Sequence, residues 1–308
     1  MFGGAASTEA SVDTAFLDSL VGVIEGGSIA AAARRQGISP AAVALRLQAL
    51  ENEFGRPLVT RSGRSVVATE AGARIVAQAR TLLRAVEDLK GLATGEGMIG
   101  QLRLGVIASA ASGLLTPVLR RFEAAHPGSR LLVQRGVSSA LFRAVVQDEL
   151  DAALIVEPDF QIPKTCAWTR LDVEPLILLT PRALSGGDPH ALLSREPLIR
   201  YGRSYWGGGL ADAYLQRAGI VPCERYELDA LDSIATLVSQ GLGVALVPDW
   251  AGLRHLADDV VKHVLPHEGF ERRIGMMWSR STVRVRHVQA LAACASEVVG
   301  DLRAGAIP

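Results

Sequence analysis

Two short helical stretches joined by a sharp break restrict the fold of this chain more than anything else in it: "SIAAAARRQGISPAAVALRLQALE", Ser28 to Glu51. Ser28 can cap a helix, its side-chain oxygen accepting from an orphaned backbone N–H, and the alanines behind it favour helix because they lose no side-chain entropy. Gly37 supplies the left-handed backbone that ends this helix, Ile38 plugs the gap, Ser39 caps again, and Pro40 fits a first helical position where no N–H is required. In the helix that follows, Val43, Leu47, Leu50 and Phe54 recur at helical spacing as one buried stripe, while Ala41, Ala44, Leu45, Arg46 and Gln48 take the opposite face. A capped helix, a three-residue turn and a second helix make a helix-turn-helix over about residues 28–48, and its second helix can enter a major groove. A helical hairpin inside a core would carry the same pattern.

The flanking sequence narrows the choice. Phe16, Leu17, Leu20, Val21 and Ile24 give an amphipathic first helix ending at Gly26-Gly27. In "RPLVTRSGRSVVATEAG", Leu58–Arg61 and Ser65–Ala68 read as two strands around Ser62-Gly63, a hairpin tipped by Arg61 and Arg64. Such a basic tip suits a wing that grips phosphate or the minor groove. Over the whole chain 32 lysines and arginines balance 32 acids, which argues against a polyanion partner. The distribution argues otherwise: Arg34 to Arg84 holds nine arginines against Glu51, Glu53 and Glu70. That excess is a candidate nucleic-acid footprint, although a solvated helix face could produce it too.

Residues 11–92 resemble the LysR-type transcriptional regulator family. The resemblance rests on the Gly27-Ser28 cap, Ala32-Ala33, Leu50-Glu51, Gly55, Leu58, Arg61 and Thr69-x-x-Gly72. It implies a winged helix-turn-helix DNA-binding domain over 11–69. The implied DNA-contacting positions are Ser28, Arg34, Arg35, Ser39, Pro40, Ala41, Ala42, Ala44, Leu45 and Arg46, with Arg61 and Arg64 on the wing. The departures are informative. Gln36 stands where the family usually has leucine and Val59 where it usually has phenylalanine. Ala44, Leu45 and Arg46 replace positions that often read Ser, Arg or Gln, and Gln. Alanine and leucine can contact a thymine methyl but cannot hydrogen-bond a base edge, so specificity is expected to rest on Arg46, methyl contacts and DNA shape.

Thr69 caps a further helix, 70–94, in which Ile75, Ala79, Leu82, Val86 and Leu89 follow a 4-3-4-3 rhythm, with Val76 and Leu83 broadening the seam. The resemblance makes this the dimerisation helix; packing on the chain's own effector domain is the alternative. "GLATGEGMIG", with four glycines, reads as a linker.

From residue 98 on, "LRLGVIAS", "RLLVQRGV", "AALIVE" and "PLILLTP" are short apolar runs alternating with helical stretches such as Leu114–Ala125 and Ser139–Leu150. A second set follows with Leu198–Tyr201, Leu210–Ala218, Ile234–Gln240 and "GVALVP". This alternation predicts an α/β unit of mostly parallel strands covered by helices, with ligands at the carboxyl ends of strands. In pattern, 98–302 resembles the same family's effector-binding domain, which has a periplasmic-binding-protein-like fold. The implied subdomains are 99–160 with 268–302, and 165–265. Family position and helix-start logic nominate Ser109, Ala110, Ser138, Ser139, Gly202, Arg203, Ser204 and Tyr205 for a small carboxylate, with Arg203 as its guanidinium. A surface role for Arg203 reads equally well. Trp206 suits a pocket wall or a core.

No catalytic or cofactor motif survives inspection. "GLGVAL" lacks a third glycine, "WGGGL" lacks a Gly-Lys-Ser/Thr ending, and Pro266 interrupts any helix that would align His263 with His267. Cys166, Cys223 and Cys294 lie far apart, which argues against a disulfide framework. No apolar run reaches the roughly 18 residues of a spanning helix, and "MFGGAASTEASVD" has no signal-like core, so the expected compartment is the cytoplasm, away from membranes. The expectation is therefore a non-enzymatic regulator with no cofactor. Promoter DNA, a small-molecule effector and further copies of the chain as homodimer or homotetramer are its partners, with RNA polymerase a candidate at such promoters. A solute-binding or enzymatic α/β module with an accessory helical domain is the competing reading.

Overall fold

The computed structural model describes residues 12–94, 101–256 and 258–306, and the chain divides after residue 97 into two compact units. The glycine-rich linker reading at 95–100 lies outside the described residues.

The first unit runs α1 (Thr14–Gly26), α2 (Ile29–Gln36), α3 (Pro40–Phe54), β1 (Val59–Ser62), β2 (Ser65–Ala68) and α4 (Glu70–Thr94). Ser28 Oγ accepts from Ala31 N at 3.1 Å, Ser39 Oγ accepts from Ala42 N at 3.1 Å, and Gly37 ends α2 at φ +66°. Leu20, Val23, Ala32, Ala33, Val43, Leu47, Leu50 and Leu58 form the core. Three expectations shift. The α3 stripe closes at Leu50, while Phe54, on the last turn, is exposed. The register pairs Ser62 with Ser65, so the hairpin tip is Gly63-Arg64, with the positive φ of +59° falling on the glycine. In α4, Val76 and Ala79 are buried in this unit's own core and Ile75 is half-buried, whereas Leu82 and Leu89 stay exposed and Val86 half-exposed. Ala79 therefore serves the domain, because α4 packs along α1 over its first turns.

The sequence signature around Glu51 and Thr69 has a local physical cause. Glu51 Oε1 accepts from Leu58 N at 2.8 Å and Val59 N at 3.2 Å, which fixes β1 to the end of α3. Thr69 N donates to Leu58 O at 3.0 Å, and Thr69 Oγ1 donates to Pro57 O and accepts from Gly72 N. A Cβ on Gly72 would lie 1.9 Å from Leu58 O, so only glycine admits this joint between α4 and the wing.

The second unit contains β3 (Gln101–Val106), α5 (Ala108–Gly113), α6 (Leu115–Ala125), β4 (Arg130–Arg135), α7 (Ser138–Val146), β5 (Ala152–Val156) and β6 (Cys166–Pro181). These are followed by α8 (Pro189–Arg195), β7 (Pro197–Tyr201), α9 (Gly209–Ala218), β8 (Cys223–Leu228), α10 (Leu231–Ser239), β9 (Ala245–Pro248), β10 (Val260–Val264), β11 (Glu271–Ser279) and α11 (Val285–Ala304). A first sheet has the order β4-β3-β5-β11-β6, in which β3 is parallel to β4 and β5, while β11 is antiparallel to both its neighbours. The second half of β6 pairs antiparallel with β9 and β10, and a bridge from Leu198 to Val244 attaches the parallel pair β7-β8.

One boundary is corrected. Residues 166–174, assigned from sequence to the second subdomain, pair with β11 in the first sheet, and β6 continues without a break into the second. Pro175 stands at the crossing, where a residue without an N–H leaves no ladder donor unpaired. Beyond it, Leu176 and Leu178 enter one apolar cluster and Ile177 and Leu179 another. The alternation of a strand buried on both faces explains why "PLILLTP" has no polar face.

Candidate functional site

In the first unit, α3 presents Ala41, Ala44 and Leu45 outward, and Leu45 is 67% exposed. Ala42, Ser39 and Pro40 lie at the α3 start, where Ala42 N is held by the Ser39 cap. Ser28 is likewise committed as a cap. The wing is tied to the helices by Val66 N donating to Gly27 O at 2.7 Å. The arginines separate by partner. Arg35 pairs with Glu25 at 2.8 Å and Asp18 at 3.6 Å, Arg80 with Glu25 and Arg74 with Glu70. Arg34, Arg56, Arg61 and Arg64 are exposed and have no ion pair among the described residues.

Arg46 does not stand free on the reading face as the sequence suggested. It is half-buried, its Nη1 donates to Ser19 Oγ at 3.3 Å, and the guanidinium lies 5.9 Å from the Phe16 ring centre. Ser19, fully buried, shares its proton between Ala15 O and Gln36 Oε1, and Gln36 Nε2 donates to Asp18 Oδ2. Gln36 and Arg46, two positions where the chain departs from the pattern of the family it resembles, thus meet in one polar network with Ser19 between α1, α2 and α3. A buried hydroxyl without these partners would cost roughly 1–3 kcal/mol. No sequence spacing links residues 19, 36 and 46, so the network could not be anticipated.

In the second unit a cavity of about 310 Å³ opens between the two sheets. Ser109, Ser138, Ser139, Ser204 and Tyr205 line it as expected, and so does Trp206. Ala110 is buried behind it on α5, and Gly202 lies under the Tyr205 ring; neither lines it. Arg203 is corrected: it is 48% exposed and turned to carboxylates, with Nε on Asp212 at 3.0 Å and Nη2 on Glu224 at 2.9 Å. The same acids hold the buried Arg200, so Arg203 completes a surface ion-pair cluster.

The guanidinium in the cavity belongs to Arg272, which is buried on β11. Its Nη2 lies 2.5 Å from Glu174 Oε2, its Nε donates to that oxygen at 2.7 Å, and Nη2 also donates to Ser109 Oγ at 3.1 Å. Burial pushes the Glu174 carboxyl up to about 7, with Arg272 opposing the shift. Burial also raises the neighbouring Tyr201 phenol, and Tyr205 stacks on Tyr201 at 5.6 Å. Asp229 faces the cavity with Tyr205 Oη 3.4 Å away. Ser138 Oγ accepts from Val156 N at 3.2 Å, whereas the N–H groups of Ser138 and Ser139 at the start of α7 have no acceptor among the described residues. Trp206 meets Phe142 and Phe160 edge to face. The signal for Arg272 was present: period-2 alternation puts it on the same face as Ile274 and Met276, directed inward. The cavity can therefore offer an anion free N–H groups and hydroxyls, and offer a donor the Asp229 carboxylate.

Residues 16–73 match the family model described as bacterial regulatory helix-turn-helix protein, lysR family, and residues 95–300 match the LysR substrate binding domain. The chain belongs to the LysR family of transcriptional regulators. Among LysR-type relatives, it is 31% identical to the HTH-type transcriptional regulator IlvR of Caulobacter vibrioides, over 81% of this chain and 86% of that protein. Its fold is that of full-length LysR-type regulators. CbnR in complex with its target DNA has a TM-score of 0.66 at 18% identity, covering 94% of this chain and 100% of that one. LysG from Corynebacterium glutamicum with bound effector Arg has a TM-score of 0.60 at 21% identity, covering 92% and 98%. The chain's relatives are regulators and not enzymes, and no described helix is long and apolar enough to cross a membrane.

Proposed function

We propose that this LysR-type regulator docks α3 in the major groove of promoter DNA with the β1–β2 wing on the backbone, acts as a dimer or tetramer in the cytoplasm, and responds to a small organic acid in the Arg272 cavity. The observation that carries the DNA reading is the division of arginines. Arg34, Arg56, Arg61 and Arg64 keep their charge for phosphate, while the others of this unit are engaged with acids or with neighbouring side chains. Leu45 and Ala44 then supply methyl contacts, and Arg46 supports α3 from behind. CbnR, which shares this fold, is solved in complex with its target DNA, and this supports DNA binding by the present chain.

Exposed Leu82 and Leu89 on α4 favour pairing with a second copy, since two such leucines on one helix face bury well only against another helix. The free N–H groups of Ser138 and Ser139 suit a carboxylate, and apolar Ile107, Val156, Leu231 and Trp206 suit a compact carbon skeleton. Asp229 favours an acid that also carries a donor, such as an amino or hydroxy acid, in keeping with the effector-bound LysG.

The test is DNA selected from a random pool by the full-length protein, followed by anisotropy titration at several salt concentrations. Arg64→Ala should weaken all selected sequences and reduce the salt slope by about 0.9. Leu45→Ala should change sequence preference with little effect on that slope. A pool without enrichment and a flat salt dependence would refute the DNA reading.

A further inference from the structure

A second cavity, of about 550 Å³, sits at the other end of α5: Ile107 to Ser109 border the first cavity, and Ser112 and Gly113 border this one. Its walls come from both sheets' coverings. α6 and α11 supply one side, and the 3-10 turn Ala251–Leu256 after β9 supplies the other. That junction is tight, because a Cβ on Gly113 would lie 2.2 Å from Gly252 N, and Arg254 Nη2 donates to Leu302 O on α11.

Its chemistry is one-sided. Arg120, Arg121, Arg254 and His255 line it, together with apolar Pro117, Val298 and Leu302, and no carboxylate is among the lining residues. Arg121 is neutralised by Asp301 at 2.7 Å and Glu297 at 3.5 Å. Arg120 is exposed and has no ion pair among the described residues, and Arg254 keeps donors beyond the one on Leu302 O. Arg120 and Arg254 thus line one apolar-floored groove without a carboxylate of their own, and an anion set between two such guanidiniums offsets their mutual repulsion.

We infer that this groove is a second small-molecule site, which takes an amphipathic monocarboxylate. The carboxylate bridges Arg120 and Arg254, and the apolar body lies on Pro117, Val298 and Leu302. Because the two arginines belong to opposite walls, such a ligand links the coverings of the two sheets at a place distinct from the first cavity.

The probe is 2-naphthoate, with 2-naphthamide as its uncharged isostere, titrated calorimetrically into the full-length protein. Ser139→Trp blocks the first cavity, Thr116→Trp blocks the mouth of the second, and Arg120→Gln with Arg254→Gln removes the charges; Thr116 and Arg120 are exposed, and because Arg254→Gln gives up the bond to Leu302 O, a urea midpoint for each variant accompanies the titration. Naphthoate should bind the Ser139→Trp variant, and bind about tenfold or more weakly after Thr116→Trp or the double arginine substitution, with the amide weaker by a similar factor. Absence of naphthoate binding up to about 1 mM, equal binding of acid and amide, or loss of binding in Ser139→Trp alone would overturn the inference.

Discussion

Glu174→Leu should damage the effector unit severely, and more than removing its partner does. Arg272 and Glu174 are both buried, and Arg272 gives Glu174 Oε2 two contacts, at 2.5 and 2.7 Å. Deleting the acid leaves a guanidinium that cannot discharge, met by the neutral Ser109 Oγ and Tyr201 phenol in place of a carboxylate, and breaking such a pair costs about 3–5 kcal/mol. Arg272→Met leaves a carboxyl already near neutrality at about 7, which can take up a proton and survive burial uncharged, so its cost is smaller. The Glu174→Leu/Arg272→Met double variant, with neither charge, should return close to the parent stability. All four tryptophans, Trp168, Trp206, Trp250 and Trp278, lie in this unit, so urea unfolding of the full chain followed by their fluorescence reads it selectively. At pH 8, above the raised Glu174 value of about 7, Glu174→Leu should lower the midpoint by about 1–2 M, from m of roughly 2–3 kcal/mol/M for a unit of this size. A larger loss for Arg272→Met than for Glu174→Leu, or a double variant worse than both, would refute the argument.

The same carboxyl makes stability pH-dependent: its folded value lies above the ordinary 4.5, so its contribution is full below about 4.5 and lost as pH rises through about 7. Glu174→Gln should flatten this part of a urea-midpoint profile between those limits. Gly72→Ala should abolish DNA binding and wild-type chemical-shift dispersion in the first unit, since a Cβ 1.9 Å from Leu58 O has no backbone room; an unperturbed spectrum would contradict the close packing described. Leu82→Asp with Leu89→Asp should reduce the assembly seen in analytical ultracentrifugation while leaving that unit's helical signal, because both side chains are exposed in the single chain.

The first unit was legible because its determinants are local. Ser28, Gly37, Ser39 and Pro40 act on backbone groups within four residues of themselves, and each cap falls where the sequence put it. The strand at "PLILLTP" was readable for the same reason, as a short continuous apolar run within one segment, the pattern of a strand buried on both faces. The serines at helix starts that line the cavity were legible through the free N–H groups such starts must carry. Misplaced side chains were those whose surroundings come from afar. Arg203 was drawn from a ligand role by acids 9 and 21 residues away, and Arg46 was drawn back by Ser19, 27 residues distant.

From the order of residues alone followed the helix-turn-helix, the wing, the α/β alternation and the family to which these belong. Tertiary structure decided which charges are free to act. Arginines of similar appearance in sequence end as exposed without an ion pair among the described residues, ion-paired or buried according to which carboxylates the fold brings within reach, and one of them, Arg272, lines a cavity it was not expected to touch. Coulomb attraction and desolvation act through space, so the role of an ionisable side chain is settled only once the chain has closed around it.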